Sequence, residues 1–569
     1  MERNTMNSSL WLFVYFIAML RLVEANQKPN IVFILVDDLG WADVGFHGAT
    51  QIATPNIDAL AADGIILNKY YTQSLCTGTR VGLMTGVYPY RTALAKVLYH
   101  SQAKGLPLIF QTLPEHLKAL GYDTHFVGTW GLGFYKIAFT PTRRGFDSAY
   151  GKWTGASDYW THVATDDIRT YKQGFDFRHN DSLLWNATGI YSTTLFTNHA
   201  VNLIQRHDKS KPLFLLFSHQ GVHTANFRGH VQSPGEYVME FRHLKNRKRA
   251  TFAGALTEVD ISVGRVFEAL YDNDMLNNTI LVFSSSNGGK PVGEVTCNLS
   301  FNSPLRGTKG TYFEGGVRVP AFIWSRLLNS TRRVSKQMMH VTDWLPTLYV
   351  AAGGNKMNLG TAATLDAVDM WAALNDPVMP SPRYQIIHNM DLARHSFAIT
   401  YKNHKGIFQE KEVPRFSGWY PVPGPQPRSQ CYIYRATKGI AFKVLRKLHG
   451  RKFILSDPTK QGSILECPTI EGANPCNVTE SPCLFDLDTD PCEQDNVADK
   501  NPKIVQTLTD IVAKGTSYVP WEGELIPDLD CDPGVFGGAW VSWRDPRYER
   551  YALRKRGFRK VFDTDYESG

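Results

Sequence analysis

The sequence has little that could hold the protein across a membrane. Its one long apolar run, residues 10–20, lies near the amino terminus, and no later stretch is long and apolar enough to span a bilayer. Because this run follows Arg3 and precedes small residues at 23–25, it has the pattern of a cleaved secretory signal peptide. We therefore expect removal of residues 1–25, a mature chain that starts near Asn26, and no stable membrane span. An uncleaved amino-terminal anchor is the alternative.

Neither sign of charge dominates the chain. Charged residues make up 20% of the sequence against 43% hydrophobic residues, a balance that excludes a largely disordered protein. The formal net charge is +8, and basic residues concentrate at 242–249 and 544–560. Such clusters favour anionic glycans outside the cell, or solvated surface alone, and a chain with a signal peptide is not expected to bind nucleic acid.

Cysteine is scarce in the first two thirds of the chain, where only Cys76 and Cys297 occur. The remaining six predict a disulfide-bonded carboxyl-terminal region, with buried free thiols as the alternative. These six are Cys431, Cys467, Cys476, Cys483, Cys492 and Cys531. Cys483 and Cys492 bracket a short Asp-rich turn, so we predict that this pair closes most easily.

Six Asn-x-Ser/Thr triplets agree with the secretory route. They begin at Asn180, Asn186, Asn277, Asn298, Asn329 and Asn477. Together with the amino-terminal segment they predict a glycoprotein that is extracellular or lysosomal.

The length of 569 residues predicts two domains. Aliphatic runs predict strands at 30–36, 124–127, 212–217 and 279–284, and apolar residues at helical spacing predict helices at 113–120 and 252–270. This alternation indicates an α/β fold with a large, mixed, mainly parallel sheet covered by helices. The composition changes near residue 380, so we place the boundary close to Asn389, between domains 26–389 and 390–569. Strands predicted at 440–445 and 452–455 make the second a smaller α+β domain.

Two acidic residues and one cysteine motif carry the chemical information. Asp37 and Asp38 follow the first predicted strand directly, where open α/β sheets bind ligands. The segment Ser74-Leu75-Cys76-Thr77-Gly78-Thr79-Arg80, followed by Leu83-Met84-Thr85-Gly86, resembles the sulfatase signature, Cys-x-Pro-Ser-Arg and then Leu-Thr-Gly. Segments at 30–40, 143–147, 211–214, 344–348 and 483–486 resemble the same family in order. The resemblance is strongest to the arylsulfatase B branch, which includes N-acetylgalactosamine-4-sulfatase, and it implies an alkaline-phosphatase-like fold.

The resemblance also implies cofactors and residue roles. In the family the cysteine, here Cys76, is oxidised by a formylglycine-generating enzyme, and the hydrated aldehyde attacks the sulfur of a sulfate ester. The match assigns Ca²⁺ ligands to Asp37, Asp38, Asn287 and Cys76. It assigns contacts to sulfate, the diol or the leaving group to Arg80, His223 and Lys309.

Four positions depart from the family pattern. Ser286 replaces an aspartate that binds calcium, so we expect weaker Ca²⁺ binding. Thr129 and Gly131 replace the lysine and histidine of Gly-Lys-Trp-His-Leu-Gly. Gly78 stands where the modification signal usually has Pro or Ala, and its flexibility opposes recognition.

These departures lead to three functional hypotheses. The first is an arylsulfatase B-like protein that binds sulfated glycans with weak or lost hydrolysis. The second is an active calcium- and formylglycine-dependent arylsulfatase, in which Lys136 or Lys290 reaches into the site. The third is a phosphodiesterase of the same superfamily with Thr77 or Thr79 as nucleophile. It is disfavoured because Ser286 stands where a metal-binding aspartate is needed and the sequence offers no suitable histidine cluster.

Overall fold

The structure is a computed structural model that describes residues 27–166, 170–226, 229–359, 365–391, 396–408, 414–424, 432–515 and 526–548. The predicted signal peptide, Cys431 and residues 549–569 lie outside these ranges. The strands are β1 Asn30–Val36, β2 Ile65–Tyr71, β3 Asp123–Thr129, β4 Ser148–Lys152, β5 Val163–Thr165, β6 Gln173–Phe175, β7 Arg178–His179, β8 Ser182–Leu183, β9 Leu213–Ser218, β10 Thr279–Ser285, β11 Ala321–Ser325, β12 Arg333–His340, β13 Gln385–Asp391, β14 Ser396–Tyr401, β15 His404–Phe408 and β16 Cys483–Asp486. The helices are α1 Pro55–Asp63, α2 Cys76–Thr85, α3 Leu113–Ala119, α4 Ser192–Arg206, α5 Gly235–Glu240, α6 Arg247–Asp272, α7 Glu314–Val317, α8 Trp344–Ala351, α9 Trp371–Asn375, α10 Tyr432–Ala436, α11 Ile440–His449 and α12 Pro502–Gly515.

A ten-stranded sheet forms the centre, in the order β12-β2-β11-β10-β1-β9-β3-β4-β7-β8. The run from β10 through β1, β9 and β3 to β4 is parallel, while β11 pairs antiparallel with both β10 and β2. The predicted mixed, mainly parallel sheet is therefore confirmed. The sheet places the carboxyl ends of β1, β9 and β10 side by side, which prepares a common site at that edge.

Both faces of the sheet are covered, as the unbroken apolar sequence of β1 requires. Val32 and Ile34 belong to the core beneath α4, α6 and α1, whereas Ile31 and Phe33 belong to the core beneath α2, α3 and α8. No helix in the described part of the chain is long and apolar enough to cross a bilayer.

A smaller antiparallel sheet, β13-β14-β15-β16, packs with α12. Lys405 of β15 connects this sheet to helix α7, because its buried ammonium lies 2.8 Å from Glu314 Oε1; the same ammonium lies 3.1 Å from Glu493 Oε1. The boundary predicted near Asn389 falls inside β13. Beyond it, α11 packs on α1 and α6 while residues 526–548 pack beside β6, so this part of the chain contacts elements that precede the predicted boundary. The division into two domains stays a prediction.

Both strands predicted after residue 439 are wrong. Residues 440–445 belong to helix α11, because Ala441, Val444 and Leu445 recur at helical spacing and form one buried face against α1 and α6. Residues 452–455 form no regular element, although Leu455 is buried.

Disulfides do join the carboxyl-terminal region, but the predicted pair Cys483–Cys492 is wrong. Cys467 bonds to Cys492, and Cys476 bonds to Cys483. The segment between Cys483 and Cys492 starts with strand β16 and turns only after it. The extended strand carries Cys483 away from Cys492.

Candidate functional site

Two acidic residues and an amide meet at the carboxyl edge of the central strands. Asp37 and Asp38 follow β1, and Asn287 follows the parallel neighbour β10, so strand register brings them together. All three are buried, and Asp38 has φ of 59°, a left-handed turn that redirects the chain at the strand end.

The carboxylates share four hydrogen-bonding partners. Ser286 Oγ donates to Asp37 Oδ1 over 2.7 Å, and Asn287 Nδ2 donates to Asp38 Oδ1 over 2.8 Å. Lys309 Nζ donates to Asp38 Oδ2 over 2.7 Å, and Arg80 Nη2 donates to Asp37 Oδ2 over 3.2 Å. Two buried cations therefore face two buried anions.

The charges around Asp37 decide its protonation. Burial would raise the pKa of its carboxyl, but the charges of Arg80, His223 and Lys309 outweigh burial and hold that pKa below its usual range. Asp37 is therefore ionised at neutral pH. His223 lies on the other side, with Nε2 3.6 Å from Asp38 Oδ2 and Nδ1 2.8 Å from the Thr224 carbonyl.

Helix α2 brings Cys76 and Arg80 to the same site. Cys76 is its first residue and Arg80 follows one turn later, so both project from one face. Burial, with the nearby charge of Asp37, raises the pKa of the Cys76 thiol to about 11, so the unmodified thiol stays protonated at neutral pH. Gly78 lies in the first turn, where an added Cβ would stand 3.1 Å from Gln73 Cβ.

The altered positions 129 and 131 lie against Arg80. Arg80 Nη1 donates to the Thr129 carbonyl over 2.6 Å and to Ser218 Oγ over 2.5 Å. A Cβ on Gly131 would stand 3.4 Å from Arg80 Cδ, so that position also borders the site. The structure thus brings together all seven predicted site residues and places Thr129, Gly131 and Ser286 among them.

Comparison with known proteins identifies this arrangement. The sulfatase family model matches residues 29–354, more than half of the chain. The chain belongs to the sulfatase family. It is 40% identical to arylsulfatase J of Mus musculus over 91% of this chain and 81% of that protein, and 29% identical to N-acetylgalactosamine-6-sulfatase of Homo sapiens over 58% and 63%. Its fold matches the crystal structure of Ps i-CgsB with a TM-score of 0.67 and 25% identity, covering 87% of this chain and 94% of that one.

Sulfatases generally use Ca²⁺ and formylglycine, and the side chains here suit a hard cation in kind. The side-chain oxygens of Asp37, Asp38, Ser286 and Asn287 converge, and Ca²⁺ prefers such oxygens. Within the described residues, however, no three His, Cys, Asp or Glu side chains group closely enough to hold a metal. Two carboxylates are present, and both already face cations. The site therefore fits Ca²⁺, but its ligands carry less negative charge than those of the family pattern. A bound Ca²⁺ would polarise sulfate oxygens there.

Of the two lysines predicted as substitutes, neither stands at the centre of this sulfatase site. Lys136 is exposed, with its ammonium 5.8 Å from the centre of the Tyr135 ring. Lys290 is half-buried at the rim, where its ammonium lies 4.8 Å from the centre of the Phe416 ring.

Sequence reasoning missed two residues close to the site. Lys152, at the end of β4, is buried, and the charges of Asp37 and Arg80 act on its ammonium. Asn298 is buried as well, and its Nδ2 donates to the carbonyls of Asp38 and Val222. The only signal for Lys152 was a lysine inside an otherwise uncharged stretch, residues 148–157.

The buried position of Asn298 also corrects one predicted glycosylation site. Asn298 is 2% exposed and its amide is fully engaged, so an oligosaccharide cannot be carried there in the folded chain. The other five acceptors are exposed and stay predictions: Asn180, Asn186, Asn277, Asn329 and Asn477.

Proposed function

We propose that this sulfatase-family protein binds sulfated glycans in the cleft around Asp37 and Arg80 and hydrolyses sulfate esters weakly or not at all. The observation that carries the proposal is the contact between Arg80 and two positions without a titratable side chain, Thr129 and Gly131. An arginine held by a carbonyl, a serine hydroxyl and a carboxylate is pre-organised to bind an anion. Beside it, nothing at 129 or 131 can move a proton.

The retained residues support binding. Burial opposes the positive charge of Lys309, but the charges of Asp38 and Asp37 outweigh burial and raise the pKa of its ammonium, so the group stays charged. Arg80 and Lys309 are each 4% exposed, so an anion that reaches them leaves water and interacts strongly. The name of one relative, N-acetylgalactosamine-6-sulfatase, suggests a sulfated amino sugar as the ligand class.

The expected loss of hydrolysis follows from magnitudes. Removing one pre-organised electrostatic contact costs about 10² to 10³ in rate, and removing a general acid or base costs about 10² to 10⁴. These losses are not additive, but this chain has one of each kind. Thr129 in place of lysine removes an electrostatic contact, and Gly131 in place of histidine removes a group that can transfer a proton. Ser286 adds a weaker metal site, and Gly78 adds a weaker signal for conversion of Cys76 to formylglycine.

Secretion with extracellular or lysosomal residence belongs to the same proposal. The two disulfides and the five exposed acceptor asparagines support it. Kinship with the arylsulfatase B branch in particular stays a proposal as well.

One experiment separates binding from turnover. The protein is expressed in secretory cells, and the peptide that contains Cys76 is analysed by mass spectrometry. Sulfate release from an aryl sulfate is then measured between about pH 4 and 8, beside Cys76→Ala and the double variant Thr129→Lys/Gly131→His. Binding of a monosulfated chondroitin disaccharide is measured by calorimetry.

The proposal predicts binding, mostly unmodified Cys76 and little or no release above the Cys76→Ala background. Efficient release that Cys76→Ala abolishes would instead establish an active arylsulfatase. Absence of both release and binding would contradict the proposal altogether.

A further inference from the structure

Lys152 has a buried ammonium without a hydrogen-bonding partner. The residue is 1% exposed, and no described atom accepts a hydrogen bond from Nζ. Burying an unpaired ammonium is costly, because neither water nor a counter-ion compensates the charge. A folded chain therefore gains when an anion reaches this group.

The position of Lys152 in the sheet directs it to the site. Its register partner on the parallel strand β3 is Thr129, and register partners project their side chains to the same face. The Thr129 hydroxyl is fully buried and also lacks a hydrogen-bonding partner among the residues that the structure describes. Two neighbouring polar groups, the Lys152 ammonium and the Thr129 hydroxyl, can thus donate hydrogen bonds to a ligand oxygen. The carbonyl of Thr129 already accepts a hydrogen bond from Arg80.

The nearby carboxylates do not fill this role. Asp176 attracts Lys152 electrostatically, but its oxygens already accept from Arg178 and from the backbone amides of Trp153 and Thr154. Asp37 is bonded to Ser286 and Arg80. No carboxylate among the described residues lies within 4.0 Å of the Lys152 ammonium.

We propose that Lys152 is an anion-binding residue of the cleft, whose ammonium, together with the Thr129 hydroxyl, donates hydrogen bonds to an oxygen of the ligand's sulfate group. The positive charge that position 129 lacks is thus supplied from the neighbouring strand. This inference rests on the proposed function, since it names a binding residue for the same ligand class.

The test measures the affinity for a monosulfated chondroitin disaccharide and for its unsulfated counterpart. Lys152→Met removes the charge and keeps the side-chain length. Lys136→Met is the matched control, a lysine on a nearby loop that is exposed. The double variant Thr129→Lys/Lys152→Met moves the charge across one register pair. Melting temperatures verify that each variant folds.

Lys152→Met is expected to weaken binding of the sulfated disaccharide about 10- to 100-fold, the effect of losing a hydrogen bond to a charged group. Lys136→Met should leave the affinity unchanged, and the double variant should recover most of it. A folded Lys152→Met variant that binds as tightly as the original chain would overturn the inference while the proposed function stands. Failure of the original chain to bind any sulfated disaccharide would overturn both.

Discussion

Ser286 and Asp37 form a hydrogen bond of 2.7 Å between the serine hydroxyl and Asp37 Oδ1 at the bottom of the site. Ser286 Oγ also lies 3.1 Å from Asn287 Oδ1, so the hydroxyl occupies the centre of the oxygen cluster. A carboxylate at this position would lie against Asp37 with no cation between them. The serine therefore makes the cluster stable without a metal, and it lowers the ligand charge that a metal would meet.

Ser286→Asp is expected to strengthen calcium binding and to make folding depend on it. Without Ca²⁺, a third buried carboxylate raises the electrostatic repulsion and lowers the melting temperature. With Ca²⁺ in excess, each tenfold gain in affinity returns about 1.4 kcal/mol of stability. Calorimetric titration and thermal melts in Ca²⁺ and in EDTA measure both effects.

Ser286→Ala is the matched control, because it removes the same hydroxyl without adding charge. It should respond to Ca²⁺ no more than the original chain does. If Ser286→Asp melted identically in Ca²⁺ and EDTA, the cluster would not be a calcium site.

Gly78→Ala is expected to raise the fraction of Cys76 that is converted to formylglycine. Alanine restricts the unfolded segment that the converting enzyme must recognise in an extended form. In the folded helix the added methyl meets Gln73 Cβ at 3.1 Å and Pro89 Cγ at 3.4 Å, so a small repacking offsets the gain in helix propensity of about 1 kcal/mol. Mass spectrometry of the Cys76 peptide gives the converted fraction.

Gly82→Ala is the control for that experiment. It lies in the same helix, and its added methyl would be equally tight, 3.1 Å from Val341 Cγ1. Because Gly82 follows the Cys-to-Arg motif, this change should leave conversion unchanged. Equal conversion in both variants would mean that residue 78 does not limit modification.

Sequence could predict those parts of the fold in which a local residue pattern corresponds to one kind of surroundings. Strand β1 is an unbroken apolar run because helices cover both faces, and Asp37 and Asp38 follow at its end. The residues that a family motif fixes, such as Arg80 and Lys309, came from the resemblance rather than from periodicity. Their convergence needed the strand order, which no local pattern contains.

The parts that sequence could not predict depend on contacts between distant segments. Helix α11 contains residues that favour strands, such as isoleucine, phenylalanine and valine. Only its packing on α1 and α6 selects the helix. Cys492 pairs with Cys467 across 25 residues, a geometry invisible in the spacing. Lys152 ends a five-residue strand with three small residues, and only the register with Thr129 relates it to the site.

Asn298→Ala is expected to destabilise the fold without any loss of glycan. Its side chain donates to the carbonyls of Asp38 and Val222 and accepts from the amides of Lys290 and Ser300. Losing these buried bonds costs about 2–4 kcal/mol, measurable by chemical denaturation.

An exposed acceptor gives the opposite result. Asn329→Gln should remove one glycan mass if that site is used, and should change stability by less than about 0.5 kcal/mol. A glycan found on Asn298 would contradict its burial in the folded chain.

Lys152 makes the stability of the chain depend on pH in a direction that can be stated. Burial lowers the pKa of its ammonium to about 7 from the ordinary 10.5, against the attraction of Asp37 and Asp176, while Arg80 adds to the lowering. Cys76, which also faces it, is protonated over this range. Between about pH 7 and 10.5 the unfolded chain binds a proton that the folded chain does not. The contribution of Lys152 to the free energy of unfolding therefore rises with pH across that window.

Lys152→Met removes this dependence. At pH 6 both folded and unfolded chains carry the charged lysine, and the full burial cost applies to the original protein. The methionine variant should then be more stable by a few kcal/mol, since one pKa unit corresponds to about 1.4 kcal/mol. Near pH 9 the folded lysine is neutral and the difference should shrink, whereas Lys136→Met should match the original chain at both values. Urea denaturation of the proteins at the two pH values provides the measurement. If the stability difference between Lys152→Met and the original chain were equal at both, the buried ammonium would have a partner that compensates its charge.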